Sequence, residues 1–257
     1  MRNYFVFLGK EFTELLRTKK LLGLACVFLF FAFTGPLMAR YMAEFLAVFV
    51  PADEMIGFII SEPYWLDSYQ QFYSNMLTAG SFTILLLFMG TITSEKSRGT
   101  KDLVLTKGIS HTGFVLSKFT AISLTVLVTF LISIGIVFIY TNILFDTAGS
   151  PADIFLGGLV FALFGITLVA LTILASALAK TVVNAAMLNI LGFFGLLLIG
   201  SIPRLGDYLP FSLAERAIEI TSGHDPVHLA NNIIVAVVFI VVCLALSIFA
   251  LKKQEGA

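Results

Sequence analysis

The sequence predicts an all-α integral membrane protein with six transmembrane helices. An N-terminal amphipathic interfacial helix and short outer helices complete it. Composition, six long apolar runs and a lopsided distribution of basic residues carry this expectation. Of the 257 residues, 58% are hydrophobic and only 12% charged, with a mean hydropathy of +0.98. Soluble domains hold about 45–50% apolar and about 25% charged residues. A soluble fold of this length cannot hide so much apolar surface, so the bilayer is the solvent.

Crossing the hydrocarbon takes about 20 apolar residues as a helix. Six runs qualify, near 21–39, 76–94, 117–140, 154–179, 182–202 and 230–251. The first is not read as a cleaved leader. It follows a charged segment, and bulky Arg40, Tyr41 and Met42 stand where small cleavage-site residues belong. With the N-terminus placed in the cytoplasm, thirteen of the sixteen basic residues fall inside, and Arg40, Arg204 and Arg216 fall outside. By the positive-inside rule both termini are expected to be cytoplasmic.

The elements follow in order. In residues 1–20, Phe5, Leu8, Phe12, Leu15 and Leu16 recur at steps of three and four, with Lys10, Glu11, Glu14 and Arg17 on the other side. That pattern predicts an interfacial helix; the plainer alternative is a topogenic flank. Span one is expected to continue as a helix to Val50, where Pro51 ends it. Tyr64, Trp65, Tyr69, Phe72 and Tyr73 suit the outer interfacial belt. Ser68 with Gln71 reads as a capping box that starts the second helix near Tyr69. Span four opens on Ser150, Pro151 and Asp153. In the outer stretch 203–229, Ser212 with Glu215 caps a short helix over 213–221 that stops at Gly223. Asp225 and Pro226 are expected to start the last span.

Catalytic constellations are missing from the sequence. His111 is expected inside and His224 and His228 outside, so the three histidines cannot share a metal. The middle of each span lacks a carboxylate, which argues against ion coupling or intramembrane proteolysis. Cys26 and Cys243 lie inside predicted spans and read as packing residues. Asn184 and Asn189 in span five are expected to face protein or a cavity, because an amide in lipid is costly. Thr125, Thr129 and Ser133 form a stripe expected to bond back to its own helix. Gly192, Gly195 and Gly200 allow close approach of a neighbour.

The most polar stretch is 93–118, "TSEKSRGTKDLVLTKGISHTGFVLSK". A mere charge anchor needs no particular order, yet this segment is ordered. Glu95 sits at the membrane exit of span two, where it faces Lys101 and Lys118 across the loop, and Gly99 permits a break. Leu103, Val104 and Leu105 form a short apolar ridge; Gly108 breaks the chain again and Ser110 opens a new segment. A short helix with an apolar ridge makes a docking surface for a soluble partner.

The run Glu95-Lys96-Ser97-Arg98-Gly99-Thr100, followed by "LVLTKGISHTGFVLSKF", resembles the ABC type-2 export permeases. Gly108 stands where those often carry proline, and His111 where arginine is common. The start "KEFTELLRTKKLL", the six-span layout and the long final outer loop fit the same family. The resemblance implies one transmembrane domain over 1–257, with 1–20 as an elbow helix and 95–116 as a cytoplasmic coupling loop. It implies a permease subunit, not an enzyme, in the cell membrane, paired with a separate ATP-binding-cassette ATPase. A second copy or a homologous permease and membrane lipid would be the other partners, with no nucleic acid. Glu95, Lys96, Arg98, Gly99, Thr100, Leu103, Val104 and Leu105 would then couple to the ATPase. ATP and magnesium would sit on that partner and no cofactor on this chain, which lacks a G-x-x-x-x-G-K-[ST] phosphate loop. Spans two and five line the dimer interface and path in the family, which makes Thr91, Thr93, Asn184 and Asn189 the candidate lining residues. Segment 203–229 would be of the re-entrant type; the residues alone equally fit a surface helix. The rival reading is a stand-alone membrane enzyme or an immunity or scaffold protein. The substrate leaves no readable mark.

Overall fold

The structure is a computed structural model that describes residues 2–49, 62–97, 99, 110–202 and 206–254. All regular structure among these residues is helical. Six helical stretches are long and apolar enough to cross a membrane: Lys20–Met42, Trp65–Ser97, His111–Phe145, Pro151–Leu178, Val182–Gly200 and Leu229–Lys253. The chain is a multi-pass membrane protein.

Helix α1 (Arg2–Arg17) precedes span one, α2 (Lys20–Phe49). Lys19 turns between them at φ 58. Helix α2 carries Pro36 and loses helical geometry at Tyr41 (φ −111, ψ 15), so it bends where it leaves the apolar run. The expected stop at Pro51 lies outside the described residues.

Span two is not one helix. It runs as α3 (Trp65–Asn75), a π-helical turn (Met76–Gly80), α4 (Ser81–Phe88), a hydrogen-bonded turn over 89–92, and α5 (Thr93–Ser97). It also starts earlier than the expected Tyr69. Asp67 Oδ2 accepts from the Tyr64 amide at 2.8 Å, and that interaction holds the N-terminus. Ser68, expected to cap, is buried inside the helix.

Span three, α6 (His111–Phe145), starts where Ser110 Oγ accepts from the Gly113 amide at 3.1 Å. Pro151 occupies the first turn of span four, α7 (Pro151–Leu178), as the sequence anticipates. Thr181 Oγ1 accepts from the Asn184 amide to start span five, α8 (Val182–Gly200). A 3₁₀ turn (Gly206–Tyr208) leads to the short helix α9 (Ser212–Thr221). Helix α9 ends in a Schellman motif: the Gly223 amide bonds Ile220 O and the His224 amide bonds Glu219 O, with Gly223 at φ +81. Span six, α10 (Leu229–Lys253), begins after His228 at φ 64. Asp225 and Pro226 therefore lie in the irregular stretch before the turn at 227–228 and do not cap the helix, contrary to the sequence expectation. The His228 carbonyl accepts from the Asn232 amide, and its ring lies against Tyr208.

Helix α7 is the hub. It packs against α6, α8, α9, α10 and span two, and 72% of its apolar window is buried, against 17% for α8. Apolar burial cannot tell α7 from lipid-facing helices by composition alone, because lipid and protein are equally apolar. What places α7 inside is its supply of small residues at contacts. At Gly157 an added Cβ would lie 2.6 Å from the Ala217 carbonyl oxygen of α9, so the two backbones touch. An aromatic column fills the half of the core next to α9. Tyr73 stacks on Phe161 at 5.1 Å, and Phe161 on Phe130 at 5.0 Å. The expected back-bonding stripe is present: Thr125, Thr129 and Ser133 each donate to the carbonyl four residues earlier.

Candidate functional site

Helix α1, the C-terminal end of span two, the N-terminal end of α6 and the C-terminal end of α7 meet in one polar junction, at the end of the bundle that the sequence expects to be cytoplasmic and that is named the inner end for that expectation. Helix α1 is positioned first. Phe7, Glu11 and Leu15 recur at steps of four and are buried, while Phe5, Val6 and Leu16 stay exposed. Phe7 packs on Phe114 of α6 at 5.8 Å, and Tyr4 Oη pairs with Thr120 Oγ1 at 3.0 Å. That docking carries Glu11 onto Lys118, two turns into α6. The sequence pattern put Glu11 on the polar side of the helix; the structure corrects this, because Glu11 has a fully buried cation to neutralise.

Lys118 is the centre of the junction. Its ammonium lies 3.0 and 2.9 Å from the two carboxylate oxygens of Glu11 and 2.9 Å from Glu95 Oε1. Its side chain has no exposed surface, and the rings of Phe114 and Phe7 lie 5.1 and 5.9 Å away. Lys10 closes the network from the solvent side, 2.9 Å from Glu95 Oε1, 3.3 Å from Glu11 Oε1 and 3.2 Å from Glu14 Oε2. Partial burial works against the Lys10 charge. The hydrogen bond to Glu95 and the fields of Glu11, Glu95 and Glu14 outweigh it and hold its pKa above the ordinary lysine range. Glu11, Glu14 and Glu95 offer oxygens within 4.8 Å of one another, a spacing that suits a metal ion. The two ammonium groups already stand among those oxygens as cations.

Next to this cluster, α5 is braced on the C-terminus of α7. Lys96 Nζ donates to Ala177 O at 2.8 Å and to Ala179 O at 2.9 Å. Carbonyls at a helix end carry the negative pole of its dipole and lack helical partners, so a lysine there is doubly favoured. Thr93 Oγ1 donates to Ser176 O at 2.7 Å, and Ser176 Oγ accepts from the amides of Ile92 and Thr93 at 2.9 and 3.0 Å. Gln254, just past α10, reaches Ala177 O at 3.3 Å.

The structure thus gathers Glu95, Lys96 and Thr93 at one place. Gly99 follows at φ +68, a left-handed turn that suits glycine. Arg98, Thr100, Leu103, Val104 and Leu105 lie outside the described residues. Thr91 is buried and its hydroxyl bonds Phe88 O at 2.7 Å. Asn189 is fully buried and donates to Leu85 O of α4 at 3.3 Å, so it faces protein as expected. Asn184, expected to face protein or a cavity, is exposed in the first turn of α8. Sequence reasoning missed Glu11 and Ser176. The step of four from Phe7 to Leu15 was the available signal for Glu11.

At the outer end, α9 buries Leu213, Ala214, Ala217 and Ile220, and Thr221 Oγ1 pairs with Tyr73 Oη at 3.2 Å. Beside it, between span two, α8 and the outer segment, lies a cavity of about 350 Å³ whose walls include Leu77, Leu197, Phe211, Asp207 and Glu215.

Residues 58–249 match the family described as ABC-2 family transporter protein. The chain is also similar to a protein of Bacillus subtilis (strain 168) named as uncharacterized transmembrane protein YxlG. The two are 23% identical over 190 residues, covering 74% of this chain and 73% of that one.

Proposed function

We propose that this chain, which belongs to the ABC-2 family of transporter proteins, is the membrane subunit of an ATP-driven exporter. A separate ATP-binding subunit docks from the cytoplasm on the 95–116 loop, and ATP and magnesium are held there. Two permease copies, or this chain with a homologue, complete the transporter in the cell membrane, with both termini in the cytoplasm.

The observation that carries this reading is the Glu95 junction. Both ends of the loop start from it: Glu95 sits two residues after Thr93 begins α5, and Lys118 two turns into α6. Their ion pair closes the base of the loop. Glu11 ties α1 to the same point and Lys96 ties α7. A force applied to the 95–116 loop therefore reaches α1, α5, α6 and α7 together. Such a base suits a loop that receives motion from a partner and hands it to the spans.

The test is co-purification of the tagged full-length chain with an ATP-binding-cassette subunit, followed by ATPase and transport assays in reconstituted membranes. Isolation of a stable, active chain without any such subunit would contradict the proposal and favour the stand-alone reading.

A further inference from the structure

The helical ladder of span two is cut at 89–92, and the rungs lost there can be traced. In an unbroken α-helix the amides of Ile92 and Thr93 bond the carbonyls of Phe88 and Met89, four residues back. Here both amides bond Ser176 Oγ of α7 instead, at 2.9 and 3.0 Å. The carbonyl of Phe88 is taken by Thr91, from its amide at 3.0 Å and its hydroxyl at 2.7 Å. A buried amide needs a partner, and one side chain of span four serves both. A side chain inserted into the ladder in this way bends a helix.

The Ser176 hydroxyl is used to capacity, since a hydroxyl accepts two hydrogen bonds and donates one. It accepts from the two amides. Thr93 Oγ1 donates to Ser176 O at 2.7 Å, so the contact of 3.0 Å between the two hydroxyl oxygens is donated by Ser176. Other buried hydroxyls of the spans turn inward on their own helices. Thr172, one turn earlier on α7, donates to Leu168 O, and Thr125, Thr129, Ser133 and Ser247 likewise bond the carbonyl four residues back. Ser176, fully buried, is turned away from α7 and toward span two.

The break decides where Glu95 stands. Beyond it lies the five-residue helix α5, which carries Glu95 to Lys118 at 2.9 Å and Lys96 to the last carbonyls of α7. Closing the ladder would change the direction in which α5 leaves α4, and an ion pair of 2.9 Å does not survive such a change. The closed form strands no amide, because Ile92 and Thr93 return to Phe88 and Met89. Ser176 therefore selects between two ladders that both satisfy the backbone.

We propose that Ser176 is a positioning residue of the Glu95 junction: by standing in for two rungs of span two it holds α5 off the line of α4 and sets Glu95 against Lys118. Without that oxygen, span two closes into a continuous helix and Glu95 leaves Lys118. What this means for transport rests on the ATP-driven reading above; the placing of Glu95 is a property of the chain alone.

The experiment uses the full-length chain in nanodiscs with Cys26 and Cys243 replaced by alanine. Spin labels on Ser97→Cys and Thr112→Cys, both exposed, read α5 against α6. A control pair on Leu86→Cys and Val128→Cys, also exposed, reads α4 against α6. Labelled chain is diluted into unlabelled chain so that only distances within one copy are read. Hydrogen exchange over 88–96 is followed in the same proteins. In Ser176→Ala the 97–112 distance should move to a new value while the control distance stays. The amides of Ile92 and Thr93 should remain protected, because the closed helix holds them. Ser176→Thr keeps the oxygen and should keep the parent distance. Gly90→Ala loses no hydrogen bond, its methyl meets Val182 at an ordinary 3.4 Å, and alanine favours the continuous helix; it should show the same new distance as a minor population. An unchanged 97–112 distance in Ser176→Ala overturns the proposal, as does a new distance with fast exchange at 92 and 93, the sign of a frayed helix. A threonine variant that moves as far as alanine overturns it too. Should Ser176→Ala not fold, a parent-only distance in Gly90→Ala overturns it. No ATP-binding partner is needed, so failure to find one would contradict the proposed function and leave this result standing.

Discussion

The two ends of the helix bundle are held together by opposite means. At the inner end, charge and hydrogen bonds do the joining: Lys118 between Glu11 and Glu95, Lys96 on the last carbonyls of α7, Thr93 on Ser176. At the outer end, shape leads and neutral hydrogen bonds assist: Gly157 lies against the α9 backbone and Tyr73 stacks on Phe161, with the hydroxyls of Tyr73 and Thr221 paired beside them. The difference bears on function. A shape joint has one good arrangement and resists change, since dense packing is not continuously deformable. A polar joint can exchange partners, so a docking protein that brings its own charges can re-set it. The inner joint is also the less forgiving of damage, because a buried ion left alone keeps its desolvation cost.

Breaking the inner joint should have the largest effect. Lys118→Met strands the carboxylates of Glu11 and Glu95 and is expected to cost about 3–5 kcal/mol, read as loss of folded protein in a thermal or detergent-resistance assay. The triple change Glu11→Leu, Glu95→Leu and Lys118→Met leaves no buried charge unpaired, and apolar replacement of an ionic group is often neutral. It should regain most of the lost stability. If the triple variant is no more stable than Lys118→Met, the damage does not come from stranded charge.

The outer joint should break by crowding. Gly157→Leu drives a side chain into the Ala217 carbonyl and should cost about 1–3 kcal/mol as an overpacked contact. Its signature is raised protease sensitivity in and around α9 with the inner junction intact. Equal sensitivity at both ends would mean that the joints are not separable.

Lys10 should matter least. It is partly exposed, so Lys10→Met is expected to shift stability by only about 0–1 kcal/mol. Its folded pKa is raised, so its contribution is complete below the ordinary lysine value of about 10.4. It is lost only as pH rises through the raised value. Stability curves for Lys10→Met and the unmodified chain should run parallel from about pH 6 to 9 and converge only in strong alkali. Convergence near neutrality would show that another group governs the pair.

Much of this architecture could be read from residues in order. The six apolar runs mark the six spans, and Ser110, Pro151 and Gly223 mark helix ends where they were expected. The Glu95–Lys118 pair was legible because both flank one short loop. Glu11 was not, since a charge on an amphipathic helix reads as solvated unless its partner is known to be buried. The joints in span two also escaped, because "MLTAGSFTILLLFMGTIT" is equally apolar whether its turns close at four residues or five. Only Gly80 and Gly90 hint at them. The start of the last span was misplaced because Asp225-Pro226 is a good cap signal locally. It lost to the turn that sets His228 against Tyr208.

The loop rooted at Glu95 is proposed to receive an ATP-binding subunit. The most direct test is a pull-down of that subunit by full-length chain carrying Leu103→Asp or Glu95→Gln, with transport measured in the same membranes. Leu103→Asp puts a charge into the apolar ridge that the sequence predicts to dock the subunit, and losing a buried anchor costs over about 1–2 kcal/mol of binding, so the subunit should fall away. Glu95→Gln should keep the complex assembled and slow transport, because it weakens the base of the loop and does not alter Leu103, Val104 or Leu105. Full binding and full transport in Leu103→Asp would contradict the account, and the loop would be a topology anchor only.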